Sequence, residues 1–299
     1  ANVAAAQALE AKHAPCVYRV HDRPDPERLD NVREFIESFG LSLPKGQVTR
    51  SAQINDVLLK AADMPYGYLI HEMLLRSQMQ AHYSPENIGH FGLALQRYAH
   101  FTSPIRRYAD LLVHRGLIRA WALGPGELSD EETARLEEMS EHISQTERIS
   151  AEAERNSIDR FAAAFLSSKT GATFQGRISG VTNFGLFVKL DDSGADGLVP
   201  IRSLPQDYYI HDEKRHALIG RRNGLVYRLG AGVSVALIEC EPLTGRMIFE
   251  ILGEGADIPG LAMKMPARSH DRKSGGPPRR KNPKSRDSRH KSPPKGRKR

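Results

Sequence analysis

The chain has 299 residues, of which 39% are hydrophobic, and this length and composition suffice for two globular domains. No apolar run approaches the length of a membrane span, and no charged segment followed by an apolar one opens the chain, so we expect a soluble cytoplasmic protein without a membrane partner. The two cysteines, Cys16 and Cys240, are far apart in sequence, which argues against a disulfide framework and against a zinc site.

The net charge of +7 is unevenly distributed along the chain. Residues 266–299 contain 14 Lys or Arg against two Asp, a net charge of +12, so the remaining residues carry a net charge of −5. Because this end of the chain is rich in Pro, Gly, Ser and basic residues, residues 253–299 are predicted to be a disordered tail. Such a cationic tail would bind nucleic-acid phosphates without sequence preference, and its alternative role is only to keep the protein soluble.

Hydrophobic periodicity predicts mainly helices at the start of the chain. Ala1 is not a plausible translation start, and the alanine-rich residues 1–6 are typical of a helix interior, so the sequence predicts a fragment of a longer protein. The next predicted elements are a short strand at 16–20 and helices at 26–39, 51–63 and 65–82. Gly40 ends the first of these helices, and Met64-Pro65 separates the other two.

Residues 89–119 combine a glycine-spaced aromatic segment, a helix start and an arginine pair. Ser103 and Pro104 are typical of the first positions of a helix, because serine caps free N–H groups and proline loses no hydrogen bond there. Arg106 would then lie in the first turn, where the helix dipole and a guanidinium group both favour a phosphate. The alternative is a salt bridge from Arg106 to Asp110 on a solvated helix face, and spacing alone leaves both open.

Residues 90–115, HFGLALQRYAHFTSPIRRYADLLVHR, resemble the hallmark segment of the RNB exoribonucleases, the family of ribonuclease II and ribonuclease R. The resemblance continues upstream through Ala1-Asn2 and residues 73–77. It implies a processive, magnesium-dependent hydrolase that degrades RNA from the 3′ end and releases nucleoside 5′-monophosphates. In that family the first arginine of the SPIR motif lies at the scissile phosphate, which here would be Arg106.

A long helix is predicted to follow the turn at residues 124–126. Ser129 and Glu132 fit a capping box at its start, and Gly171 is a natural stop. Within this helix, Glu154 aligns approximately with an acidic position that touches the RNA sugar in ribonuclease II. The alternative is that Glu154 lies on a solvated helix face.

From Ala172 the period changes from helical to alternating, which indicates short strands joined into a small barrel. Residues 174–190, FQGRISGVTNFGLFVKL, and residues 196–204, DGLVPIRSL, resemble an S1 RNA-binding domain, a five-stranded OB-fold. The insert at residues 207–230 resembles the one in ribonuclease R, which favours that branch of the RNB family over a generic S1 protein.

The S1 resemblance implies a surface for unpaired RNA bases. Phe184 and Phe187 would form a stacking platform, with core packing as the alternative for each. Lys189, Arg202 and Arg246 would attract the phosphates.

The chain departs from the usual S1 pattern at two places. Pro200 stands where a histidine is common, and the usual aspartate is displaced near Glu241-Pro242. These departures concern contacts to base edges, and stacking does not depend on them.

Two-metal phosphodiester hydrolysis needs several carboxylates that converge on a pair of ions. The only adjacent aspartate pair, Asp191-Asp192, falls in a predicted turn of the S1-like region, so we expect no metal ligand in this chain. The Mg²⁺ ligands that the resemblance implies would lie before Ala1.

These patterns predict an α+β chain with three parts: the C-terminal part of an RNB domain (1–170), an S1-type OB-fold barrel (171–252) and the basic tail (253–299). The expected function is that of a monomeric 3′–5′ exoribonuclease acting on single-stranded RNA, with this fragment alone inactive. The alternative is a non-catalytic RNA-binding module that keeps the S1 domain and a degenerate RNB remnant.

Overall fold

The computed structural model describes residues 1–37, 39–44, 50–64, 66–213, 215–253 and 255. Helices dominate the N-terminal part and strands the C-terminal part, which confirms the predicted α+β class. The helices are α1 (Asn2–Ala11), α2 (Pro26–Glu37), α3 (Ser51–Ala61), α4 (Gly67–Ser77), α5 (Tyr108–Trp121), α6 (Asp130–Ala134) and α7 (Leu136–Leu166). The strands are β1 (Tyr18–Val20), β2 (His82–Ser84), β3 (Thr173–Thr182), β4 (Gly185–Leu190), β5 (Asp196–Pro200), β6 (Tyr209–Asp212), β7 (Ala217–Gly220), β8 (Val226–Arg228), β9 (Gly232–Glu241) and β10 (Arg246–Leu252).

Two sequence predictions concern the whole chain. The predicted tail at 253–299 falls outside the described residues apart from positions 253 and 255. Within the described ranges, no helix combines the length and the apolar character that a membrane span requires.

The helices pack around three hydrophobic clusters, and we call this helical part of the molecule the helical body. The first cluster joins the apolar faces of α2, α3 and α4, which include Leu29, Val32, Ile36, Ile54, Val57, Leu69, Ile70 and Leu74. The second joins α1, β1 and α5 through Leu9, Val20 and Val113. The third joins α5 to α7 through Leu112 and Leu136. Because α5 contributes to two clusters, the segment before it is held on a rigid support.

The helix predicted at residues 65–82 ends earlier than expected. α4 stops at Ser77, and Gln78 takes an extended conformation with ψ of 148°. β1 pairs antiparallel with β2, and Val20 lies opposite His82. The end of the predicted helix is therefore wrong, because strand pairing with β1 takes the backbone groups that a further helical turn would use.

The start of α5 also differs from the prediction. The helix begins at Tyr108 rather than at Pro104, and Arg107 occupies the N-cap position with φ −124° and ψ 114°. Residues 103–107 form a turn in front of the helix. The proposed roles of Ser103 and Pro104 as helix start are therefore wrong.

The predicted capping box at Ser129 is present. Ser129 Oγ accepts from Glu132 N at 3.1 Å, and the Glu132 carboxylate accepts from Ser129 N at 2.9 Å. The box opens only the short α6, because Arg135 leaves the helical region at ψ 11°. The 31-residue α7 then follows.

Five strands close into a barrel in the order β10-β5-β4-β3-β9. The inward side chains alternate along each strand, so that Leu186 and Val188 of β4 and Phe249 of β10 are fully buried. This closed five-stranded barrel confirms the predicted OB-fold. The insert between β5 and β9 forms a separate antiparallel sheet, β6-β7-β8.

The insert connects the barrel to the helical body. Leu229, which follows β8, is 2% exposed and belongs to the cluster of α2, α3 and α4. The His216 ring meets the Phe35 ring edge-on, with 5.6 Å between the ring centroids. Arg76 Nη2 of α4 donates to Ser179 O of β3 at 2.9 Å. Apolar packing and a hydrogen bond thus hold the barrel against the helices.

Candidate functional site

Arg106 projects from the turn that directly precedes α5. The backbone N–H groups of Arg106 and Arg107 donate to Ser103 O at 3.3 and 3.1 Å, which closes this turn. Ile105 at its tip is 101% exposed, and Arg106 is exposed beside it. Arg106 forms no ion pair with a carboxylate in the described part of the chain. Its guanidinium N–H donors are therefore available to a ligand.

Asp110 holds this turn in place from within the fold. Its side chain is 0% exposed, and its Oδ1 accepts from Ser103 N at 2.8 Å and from Arg107 Nη2 at 3.0 Å. Arg107 Nε lies 2.9 Å from Oδ2, in ion-pair contact without hydrogen-bond alignment. The alternative salt bridge from Arg106 to Asp110 is therefore wrong, because the neighbouring Arg107 takes this carboxylate.

A polar cluster next to Arg107 connects the turn to α7. The Tyr83 hydroxyl and His100 Nδ1 are hydrogen-bonded at 2.9 Å. The Arg19 guanidinium lies 4.6 Å from the Tyr83 ring centroid and 2.6 Å from the Glu147 carboxylate. Burial lowers the pKa of His100 to about 4, and the positive charges of Arg107 and Arg19 add to this shift. The His100 ring is therefore neutral near pH 7.

Glu154 lies on the same face of α7 as Glu147, seven residues further along the chain. Seven residues are close to two helical turns, or about 10.5 Å. Glu154 is exposed and makes no ion pair with a described residue. The structure does not bring it into contact with Arg106, so its role at the RNA sugar stays a prediction.

Phe184 and Phe187 lie together on the outside of the barrel. Their ring centroids are 6.1 Å apart and the rings are nearly perpendicular, at 88°. Phe184 lies in the turn between β3 and β4 and is 53% exposed, and Phe187 is half-buried on the outward face of β4. Neither side chain belongs to the barrel core, so the core-packing alternative does not describe them.

The strand register arranges the outward side chains of the barrel in rows. Phe187 of β4 lies opposite Leu198 of β5, and Leu198 lies opposite Ile248 of β10. These three residues form an apolar row across three neighbouring strands. The next row is charged, because Lys189 lies opposite Asp196 and the parallel pairing of β5 with β10 puts Arg246 at the same level.

Arg202 lies at the opposite end of this surface. It belongs to a short 3₁₀ turn, Ile201–Ser203, and is exposed. The backbone N–H of Ile201 donates to Phe184 O at 2.9 Å, which places this turn beside the aromatic pair. The predicted cations thus lie on both sides of the apolar row, Lys189 and Arg246 on one and Arg202 on the other.

Sequence reasoning missed three members of this surface: Leu198, Ile248 and Asp196. Alternation within β5 indicates that Asp196 and Leu198 share one face, but the partnership with β10 depends on a long-range parallel pairing. Partial desolvation raises the pKa of the Asp196 carboxyl, and a hydrogen bond from the Ser179 hydroxyl opposes this shift. Asp196 thus puts a carboxylate between the two cations.

The described residues do not fit a two-metal centre. Among them, no group of three or more His, Cys, Asp or Glu side chains is placed to hold a metal ion. The expectation that the magnesium ligands lie elsewhere stays a prediction.

Comparisons with known proteins agree with the fold. Residues 1–122 match the family described as RNB domain, and residues 167–252 match the S1 RNA binding domain. The chain therefore carries an RNB-domain segment followed by an S1 domain.

Several of the similar proteins are named ribonuclease R. Ribonuclease R of Aquifex aeolicus is 42% identical over 82% of this chain and 35% of its own length. The Escherichia coli enzyme is 43% identical over 79% of this chain and 30% of its own length. The apo structure of Mycoplasma genitalium RNase R has a TM-score of 0.77 at 32% identity and covers 84% of this chain and 40% of its own. The chain thus spans about a third of the length of these curated relatives, and the resemblance to ribonuclease R is confirmed.

Proposed function

We propose that this chain forms the phosphate-contacting and RNA-binding part of a processive 3′–5′ exoribonuclease that releases nucleoside 5′-monophosphates. The observation that carries the proposal is Arg106, an exposed guanidinium without a described ion-pair partner, on a turn that the buried Asp110 fixes. The ribonuclease R relatives support the reaction class.

The geometry of the turn suits a phosphate that gains negative charge during the reaction. A guanidinium group can donate two parallel hydrogen bonds to phosphate oxygens. Because Arg107, Asp110 and Ser103 hold the turn before substrate arrives, Arg106 needs little reorganisation to meet the transition state. Arg106 is thus assigned to the scissile phosphate.

Single-stranded RNA is the proposed partner of the barrel surface. The M. genitalium RNase R has been solved with ribose methylated single-stranded RNA, and that structure matches this chain with a TM-score of 0.76 at 32% identity. On this chain, Phe184 and Phe187 would stack on bases, and Lys189, Arg202 and Arg246 would contact phosphates. We expect the protein to act as a monomer in the cytoplasm.

Magnesium is the proposed cofactor of the complete enzyme. Bound magnesium ions would activate the attacking water and neutralise charge on the phosphate. Since the described residues do not fit such a centre, we assign its ligands to a part of the protein outside them. Glu154 would contact the sugar of the RNA near Arg106.

Incubation with 5′-labelled single-stranded RNA tests the proposal, with magnesium in one arm and EDTA in the other. The complete natural protein should shorten the RNA progressively from the 3′ end only with magnesium. The 299-residue chain should bind the same RNA and leave it intact. If the complete protein binds RNA but leaves it intact, the non-catalytic RNA-binding module is the correct function.

A further inference from the structure

A cleft of about 1200 Å³ lies between α3, α4, the segment that follows α4, and α7. We propose that this cleft binds an unpaired nucleobase of single-stranded RNA together with the adjacent phosphate. The proposal deepens the proposed function and rests on it. The cleft is larger than the roughly 300–1,000 Å³ of an ordinary small-molecule pocket, so it has room for a nucleotide that stays part of a strand.

Apolar side chains provide surface for the face of a base. Leu75 lines the cleft although it is 69% exposed, and Met79 lines it at 39% exposure. Ile54 and Leu58 of α3 form the facing wall. A flat base that covers exposed apolar groups in a concave site removes their surface from water and so stabilises the complex. Every base offers such a face.

Two amide side chains in the cleft are available to base edges. Asn55 and Gln80 line it and make no side-chain hydrogen bond with a described residue. Each amide offers donors and acceptors, which is what an unpaired base presents on its own edges. The neighbouring Gln78 and His71 side chains already form hydrogen bonds within the protein. Gln78 donates to Leu74 O at 3.2 Å, and His71 Nε2 contacts Leu58 O at 3.1 Å.

The charge of the cleft favours a phosphate. None of the described residues that line it is an Asp or a Glu. Arg155 of α7 is exposed and forms no ion pair with a described carboxylate. Arg76 is held by Glu72 at 2.9 Å and donates to Ser179 O. Arg155 therefore supplies a net positive charge at the α7 side.

The cleft also lies between the two surfaces already assigned to RNA. Arg76 on its rim contacts Ser179 of β3, and the next residue, Gly180, packs against the Phe187 ring, where an added Cβ would come within 3.2 Å. On the other side, Arg155 directly follows Glu154 in α7. The cleft thus adjoins both the barrel surface and the turn of α7 that carries Glu154.

Matched substitutions in the 299-residue chain test the proposal. Leu75→Glu puts a carboxylate into the cleft, and its control is Leu59→Glu, at a leucine of α3 that is 65% exposed and does not line the cleft. Arg155→Ala removes the cation, and its control is Arg148→Ala, an exposed position one heptad earlier on α7. All four sites are exposed, so these variants are expected to fold.

Binding is measured by fluorescence anisotropy with labelled single-stranded RNA over a range of salt concentrations. Leu75→Glu should weaken binding roughly tenfold or more, and Leu59→Glu less than about twofold. Arg155→Ala should reduce the slope of log K against log salt by about 0.7 relative to Arg148→Ala. If the two variants of each pair bind RNA equally, while Phe184→Ala with Phe187→Ala still weakens binding, the cleft proposal is overturned and the proposed function stays intact. Absence of RNA binding by the unsubstituted chain would overturn the proposed function itself.

Crosslinking locates the contact and separates two sources of the ligand. RNA containing 4-thiouridine should crosslink to peptides that include Asn55 or Gln80, and Leu75→Glu should abolish these crosslinks. Adenosine 5′-monophosphate is the competing probe. If it suppresses the crosslinks as effectively as unlabelled RNA at the same nucleotide concentration, the cleft holds released mononucleotide, and the strand assignment is wrong.

Discussion

Arg106 lies beside the tip of a turn whose geometry depends on Asp110, a buried carboxylate that accepts hydrogen bonds from Ser103 and Arg107. Arg106 itself has no described ion-pair partner, whereas Asp110 has no exposed surface. The two residues should therefore respond differently to substitution, one in catalysis and the other in stability.

In the complete enzyme, Arg106→Ala should slow single-turnover hydrolysis on the order of 100-fold or more, a few kcal/mol of transition-state stabilisation, with RNA affinity nearly unchanged. Arg106→Lys should not restore the rate, because an ammonium group lacks the bidentate geometry. Arg148→Ala, at an exposed arginine of α7, serves as the control. An unchanged single-turnover rate for Arg106→Ala would refute the assignment.

Asp110→Asn should lower the free energy of unfolding by on the order of 3 kcal/mol, because it leaves the Arg107 guanidinium without its charge partner in a mostly buried site. Urea denaturation of the 299-residue chain measures this change. Arg106→Ala is the control and should unfold within about 0.5 kcal/mol of the parent chain. Equal stability of both variants would show that Asp110 does not hold the turn.

His90 and His100 should make the chain less stable in mild acid. The pKa values of His90 and His100 are lowered to about 4, mainly by burial. In the unfolded chain a histidine titrates near pH 6.5. Between these pH values the unfolded chain binds more protons than the folded chain. The free energy of unfolding therefore falls as the pH is lowered from 6.5 to 4. Both rings are partly exposed, so we expect about 1 kcal/mol for each.

Urea midpoints measured at several pH values test this dependence. His100→Gln should flatten the profile between pH 6.5 and 4, because glutamine has no proton to bind. His13→Gln is the control, since this exposed histidine lies in the turn after α1. An identical profile for His100→Gln and the parent chain would contradict the prediction.

At the scale of the element, the barrel presents an apolar row between cations. Phe184→Ala with Phe187→Ala should weaken single-stranded RNA binding by about 1–3 kcal/mol for each stacked base, at every salt concentration. Lys189→Ala should instead reduce the salt dependence, since it removes a phosphate contact. Anisotropy titrations at several salt concentrations distinguish the two effects. An aromatic double variant that loses affinity only at low salt would contradict stacking.

The sequence predicts some of these elements correctly and others incorrectly. Alternation and glycine turns are local, so the barrel strands are predictable, and Ser129 with Glu132 correctly marks a helix start. Ser103 and Pro104 failed as a helix start because a residue seven positions later, Asp110, accepts the Ser103 N–H. A pattern of adjacent residues cannot show such a contact.

Some residues of the candidate site are likewise predictable from the sequence, and others are not. The exposed Arg106 and the aromatic pair are visible in the sequence as motifs. The row of Phe187, Leu198 and Ile248 depends on a parallel pairing between β5 and β10, which lie far apart in the chain. The cleft between α4 and α7 depends on how helices pack, so periodicity could not predict it.

At the scale of the whole molecule, the insert ties the barrel to the helical body. Leu229 belongs to the barrel part of the chain, yet it packs in the cluster of α2, α3 and α4. Gly230 beside it has φ of +82°, and an added Cβ would lie 3.2 Å from Leu69. A strand of RNA that contacts the aromatic pair and the cleft together requires this junction to stay closed.

Leu229→Ala should therefore destabilise the helical body although the substitution lies in the barrel half of the chain. Removal of a buried leucine costs about 2–5 kcal/mol, and here the lost contacts are those with α2, α3 and α4. Amide hydrogen exchange should then speed up in α4, on the opposite side of the junction. Leu218→Ala is the matched control, because Leu218 is also fully buried but packs in the barrel cluster. If both variants leave α4 equally protected, the insert does not couple the two parts, and a rigid path for RNA from barrel to cleft loses its structural basis.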